Sequence, residues 1–139
     1  KRTYRTMSLS DEERIAVVSC RIEKAQNAIN EAEKVLAIGL WNIAANRLYY
    51  ALFYASTAIL IKKGLSAHTH TGVIAMISLH LVQQSLLSTE DIRLIRKLFS
   101  LRQEGDYEDF VDVTEEDIQQ YLPMVKALLD KMIDICKEL

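Results

Sequence analysis

Behind Ser10, the apolar residues Ile15, Val18, Ile22, Ala25, Ile29, Ala32 and Leu36 recur at alternating intervals of three and four. That spacing places one apolar stripe on one face of a helix, with charged residues around the rest. Ser10, with Glu13 three residues on and Asp11 and Glu12 between, has the form of an N-terminal capping box, and Gly39 marks the stop. A second run, Leu40 to Lys63, is apolar nearly all round and ends at Gly64, which predicts a central helix touched on several sides. A third helix is expected from about Thr69 or Thr71, carrying Val73, Ile74, Met76, Ile77 and Leu81, before the polar turn Gln83-Gln84-Ser85. Ser88 with Asp91 caps a fourth, whose stripe is Ile92, Ile95, Leu98 and Phe99. The pattern breaks between Gln103 and Val113. Thr114, followed by Glu115, Glu116 and Asp117, then caps a fifth helix with Ile118, Tyr121, Leu122, Val125, Leu128, Met132 and Ile135 on its stripe. Pro123 falls inside it and is expected to kink it, because proline lacks an N–H and crowds the preceding turn. The fold class that follows is all-α: an antiparallel four- to five-helix up-and-down bundle over residues 10–139, with 1–9 as a flexible extension.

Composition narrows this picture. The chain has 139 residues, half of them apolar, with only four glycines and one proline, too few turn formers for an all-β fold. A formal net charge of −2 gives no global attraction to nucleic acid, so any RNA contact has to be local. Cys20 and Cys136 share no metal-ligand spacing and read as reduced core thiols of a cytoplasmic protein. The opening Lys1-Arg2-Thr3-Tyr4-Arg5 has no apolar core behind it, so no secretory leader is expected. The apolar run Leu48 to Ile61 is shorter than the roughly 18–20 residues a membrane span requires and includes tyrosine, serine and threonine, so no membrane association is expected.

Three features exceed what a bundle needs. Arg47, Tyr50, Tyr54 and Thr57 fall at spacings of three, four and three, so they share one face of the second helix, with Asn46 one residue off it. Their polar ends need partners, whether bundle carboxylates, water or a ligand. Arg102 lies on or beside the apolar stripe of the fourth helix and also needs a carboxylate; Asp106 qualifies if the helix persists that far. The acids Glu104, Asp106, Glu108, Asp109 and Asp112 gather with Tyr107 and Phe110 in the break before the fifth helix. His68, His70 and His80 have no completing Cys, Asp or Glu and no Glu three positions earlier, so neither a metal site nor a di-iron bundle is expected, and a turn histidine reads first as a cap or surface residue. No phosphate-binding glycine loop or nucleophile elbow occurs.

The segment Asn46-Arg47-Leu48-Tyr49-Tyr50-Ala51-Leu52-Phe53-Tyr54-Ala55 resembles the second-helix signature of HEPN domains. The likeness continues through Lys63-Gly64-Leu65, Thr69-His70-Thr71-Gly72-Val73 and Leu101-Arg102-Gln103-Glu104-Gly105-Asp106-Tyr107, in the family's order. The resemblance implies a helical bundle that forms a homodimer, with polar residues of the second and fourth helices facing a cleft. It also implies a place beside a minimal nucleotidyltransferase in a two-gene toxin–antitoxin module. Active members are metal-independent ribonucleases with an Arg-x4–6-His motif. Carried over, the arginine is Arg102, but the spacing then meets Tyr107, and no histidine follows His80. A tyrosine near its ordinary pKa of about 10 is a poor general base at neutral pH.

The reading that results is a non-catalytic HEPN-domain protein. Its cleft of Asn46, Arg47, Tyr50, Tyr54, His70, Arg102, Asp106 and Tyr107 binds a nucleotide, an RNA end or a nucleotidyltransferase partner, with no cofactor and no DNA. The alternatives are a divergent ribonuclease toxin, using Arg102 as catalytic residue with Tyr107 or His70, and a purely structural interaction bundle whose arginines serve internal ion pairs.

Overall fold

A computed structural model describes residues 9–102 and 113–139. The helices are α1 (Asp11–Ala37), α2 (Trp41–Lys62), α3 (His70–Ile77), α4 (Thr89–Leu101) and α5 (Glu115–Glu138), and no strand occurs among the described residues. α3 runs on into a π-helical turn, Ser78–Val82, that the apolar pattern did not foreshadow.

The starts of four helices are chemically defined. Reciprocal capping boxes join Ser10 to Glu13, Ser88 to Asp91 and Thr114 to Asp117, and Thr69 Oγ1 accepts from the Gly72 N–H. α2 has no side-chain cap. It follows a tight turn in which Gly39 takes φ +81° and the Leu40 N–H donates to the Val35 carbonyl. A Cβ on Gly39 would stand 2.6 Å from the Trp41 ring, so the turn needs glycine both for its backbone angle and for space.

Cross-helix contacts set the directions. From one end to the other, Arg14 meets Ile61, Arg21 meets Thr57 and Glu31 meets Arg47, so α1 and α2 are antiparallel. α5 starts beside the N-terminus of α2, where Asn42 Oδ1 accepts from the Val113 N–H, and pairs Lys126 with Glu33 of α1 and Lys131 with Asp91 of α4. The long helices therefore alternate up and down, with α3 and its π-turn as the crossover. α2 packs against α1, α3, α4 and α5 and is the buried axis of the bundle. Its Leu48, Tyr49, Leu52 and Ile59 are completely buried, and alanines buried on both α1 and α2 let those two backbones approach closely.

Two expectations fail. Ile15, on the predicted stripe of α1, is 68% exposed. It lies over a groove of about 530 Å³ between α1 and α5, where the two helices no longer cover it. Cys20 is exposed, not a core thiol, whereas Cys136 is buried, and the two are not bonded to each other. α5 is continuous through Pro123, which is exposed. No described helix is long and apolar enough to cross a membrane.

Candidate functional site

The predicted stripe on α2 is polar at both ends. Arg47 Nη1 donates to Glu31 Oε1 of α1 at 3.2 Å, and its Nε and Nη2 donate to Asn46 Oδ1 at 3.2 and 2.9 Å. The same guanidinium lies 5.2 Å from the Tyr50 ring centre. The partner that Arg47 required is thus a bundle carboxylate plus the neighbouring amide. Further along, Lys24 of α1 stands 5.7 Å over the Tyr54 ring, and Arg21 donates to Thr57 Oγ1 at 3.0 Å.

Next to this stripe lies a denser group of rings. The chain after α2 turns back along it, so that His70, the first residue of α3, arrives against the middle of α2. Its ring stacks on Phe53 at 4.3 Å between centroids and on Phe99 of α4 at 5.8 Å. Tyr49 Oη lies 2.8 Å from His70 Nδ1. Whichever atom carries the proton, this bond fixes the ring's orientation and aims Nε2 away from Tyr49. A cap or surface role for His70 is therefore wrong: Thr69 is the cap, and His70 is half-buried among aromatics.

Arg102 reaches the same group from the other side. α4 ends at Leu101, and Arg102 takes extended angles, φ −64° and ψ 136°. The chain has thus left the helix at Arg102 itself. The Arg102 guanidinium lies 4.4 Å from the Phe99 centroid and 5.6 Å from that of Tyr49. Such placements contribute about 0.5–2 kcal/mol each, depending on solvation. Asp106 and Tyr107 lie outside the described residues.

Of the expected cleft residues, Asn46, Arg47, Tyr50, Tyr54, His70 and Arg102 do come together on α2 and the elements flanking it. Tyr50 links the two halves, with its ring 5.7 Å from Tyr54 and 5.8 Å from His70. Tyr49, Phe53 and Phe99 form the scaffold of the site, a role that sequence reasoning missed. Part of it was legible, because Phe99 and Arg102 are three apart and Tyr49 and Phe53 four apart, spacings that put side chains in contact on a helix. Among the described residues no group of His, Cys, Asp or Glu could hold a metal ion. The groove between α1 and α5 has an apolar floor of Ile15, Val18, Ile22 and Ile133, bordered by Arg14, Glu23, Gln26, Lys62 and Lys137, and holds neither an aromatic ring nor a histidine.

The profile of the HEPN domain family matches residues 18–136, a span that takes in part or all of every helix, and the chain belongs to that family. It is 30% identical over 116 residues to a Thermotoga maritima protein named "UPF0332 protein", covering 84% of this chain and 88% of that one. Two Methanocaldococcus jannaschii proteins are also similar. "Putative toxin MJ0605" is 29% identical over 122 residues, 88% of this chain and 90% of the relative. "Putative toxin MJ0142" is 26% identical over 110 residues, 79% and 75% respectively.

Proposed function

We propose that this HEPN-domain chain binds the phosphate of a nucleotide or an RNA end, without cleaving it, in a cleft formed by Asn46, Arg47, Tyr50, Tyr54, His70 and Arg102. The observation that carries the reading is that Arg102 and His70 are gathered on the same two rings, Tyr49 and Phe99. A guanidinium supplies planar donors suited to phosphate oxygens, and an imidazole Nε2 beside it supplies another. The rings around them offer faces for a base. The relatives whose names carry the word toxin favour a toxin-like role; a second copy of the chain and a minimal nucleotidyltransferase are the partners that the family resemblance alone suggests.

Binding is preferred over cutting because the spacing after Arg102 meets Tyr107 rather than a histidine, and because one nitrogen of His70 is committed to Tyr49. Titration with adenosine 5′-monophosphate and with a 3′-phosphorylated RNA trimer tests this reading. Saturable binding that Arg102→Ala weakens about tenfold or more is expected, which corresponds to about 1.4 kcal/mol. Absence of saturable binding to either ligand overturns it.

One observation favours a second reading, a ribonuclease with Arg102 steadying phosphate charge and His70 moving the proton: His70 shares its ring neighbours with Arg102. Growth arrest on expression, abolished by both Arg102→Ala and His70→Ala in proteins that still fold, supports that reading. Equal harmlessness of wild type and variants excludes it.

A further inference from the structure

The side of α1 that faces the Arg47–Tyr50–Tyr54 stripe carries Arg14, Arg21 and Lys24, seven and three residues apart and so close to one line along the helix. Arg14 Nη1 donates to the Ile61 carbonyl at 2.8 Å and Arg21 Nη1 to the Thr57 hydroxyl at 3.0 Å, both uncharged acceptors. Lys24 stands over the Tyr54 ring. Among the described residues no carboxylate pairs with any of the three; the seam's ion pair is Arg47 with Glu31, at its far end. Each arginine uses one of its five donors in the bond that holds it in place, so its charge and remaining donors are undischarged. The chain as a whole is acidic, and three successive uncompensated cations on one seam are a local reversal of that sign.

The aromatic residues are interleaved with these cations. Lys24, Tyr54, Tyr50 and His70 follow one another at 5.7, 5.7 and 5.8 Å, and His70 adjoins Phe99 and Arg102. Cations that follow a backbone beside half-buried rings are the arrangement by which proteins hold single strands without reading their sequence. From Arg14 to Lys24 the seam runs about 15 Å, at about 1.5 Å per residue.

We propose that the α1–α2 seam is a track for single-stranded RNA, with phosphates on Arg14, Arg21 and Lys24 and bases against Tyr54 and Tyr50. This deepens the phosphate-binding reading above and rests on it for its terminus, since the track delivers the strand's end to His70 and Arg102.

Fluorescence anisotropy of a 5′-labelled, mixed-sequence 12-nucleotide RNA over a potassium chloride series tests the track. The protein is the full chain, as wild type, Lys24→Glu, and the Arg21→Glu/Lys24→Glu pair. Lys24 is exposed and makes no hydrogen bond among the described residues, so its reversal leaves the fold intact, as a thermal melt would verify. The expected result is a salt-dependent affinity that falls about threefold or more in Lys24→Glu and about tenfold or more in the pair. The log–log salt slope should become shallower by about 0.7 for each phosphate the variant no longer neutralises. Adenosine 5′-monophosphate is titrated in parallel, and its affinity should fall in Arg102→Ala but hold within about twofold in Lys24→Glu. Equal RNA affinity of wild type and Lys24→Glu, or no salt-dependent RNA binding by wild type, overturns the track. If RNA binding depends on Lys24 while the mononucleotide never binds, the track stands and the Arg102–His70 reading falls.

Discussion

The Tyr49 hydroxyl and His70 Nδ1, 21 residues apart in sequence, lie 2.8 Å apart where α3 begins against the middle of α2. Tyr49 is fully buried, and this bond gives its hydroxyl a partner inside the bundle. Tyr49→Phe keeps the ring stack and removes only the hydroxyl. It is expected to cost about 1 kcal/mol in urea unfolding. It should also change the tautomer balance of His70, visible in the ring ¹⁵N shifts. Unchanged His70 shifts in Tyr49→Phe would show that the bond does not orient the ring.

Gly39 closes the turn between α1 and α2 with φ +81° and the Trp41 ring against its missing side chain. Gly39→Ala combines a left-handed backbone penalty of about 1–2 kcal/mol with a displaced indole. Loss of at least about 1 kcal/mol in chemical denaturation and altered Trp41 fluorescence are expected, Trp41 being the chain's one tryptophan.

Acid should weaken the bundle through its caps. Burial by itself pushes the Asp91 carboxyl up. The Lys131 ammonium and the Ser88 N–H and hydroxyl outweigh it and hold the group below its ordinary 3.8. Glu13 and Asp117 are also lowered, first by the backbone N–H of Ser10 and of Thr114 and then by those residues' hydroxyls. A carboxylate with a depressed folded-state pKa contributes stability that is present above its unfolded value, 4.5 for Glu13 and 3.8 for the aspartates, and lost as pH falls through the folded value. The urea midpoint should therefore decline between about pH 5 and pH 2, with Asp91→Asn showing a shallower decline.

The two thiols should behave differently. Cys20 is exposed, whereas Cys136 is buried, and burial pushes its thiol pKa up against a smaller lowering by Lys62. An aromatic disulfide reagent at pH 8 should titrate one thiol quickly in the folded protein and the second only on unfolding. Cys20→Ser should remove the fast phase, since thiolate fraction and access govern the rate. Two fast thiols would contradict the burial of Cys136.

The helices were legible because their signals are local. Ser10 with Glu13, Ser88 with Asp91, and Thr114 with Asp117 each occupy one turn, and all three form the reciprocal caps their residue types dictate. What failed depended on distance in space. Ile15 continues the apolar periodicity of α1, but periodicity cannot say where the neighbouring helices stop covering the stripe. Residue type alone puts Cys20 in the core, and residue type does not fix which face of α1 it occupies. Arg47 needed a partner, yet Glu31 comes from another helix, α1, and nothing in the local pattern of α2 points to it. The place of His70 was hidden because its partner, Tyr49, is reached only through the course of the chain after α2.

The central claim, that Arg102 and His70 together receive a phosphate, is tested most directly by following the His70 imidazole resonances during titration with adenosine 5′-monophosphate, in wild type and in Arg102→Ala. Saturating shifts of the His70 ring in wild type, with the midpoint moved about tenfold or more higher in Arg102→Ala, are the predicted result. A His70 ring that does not respond, or responds identically in both proteins, would contradict it.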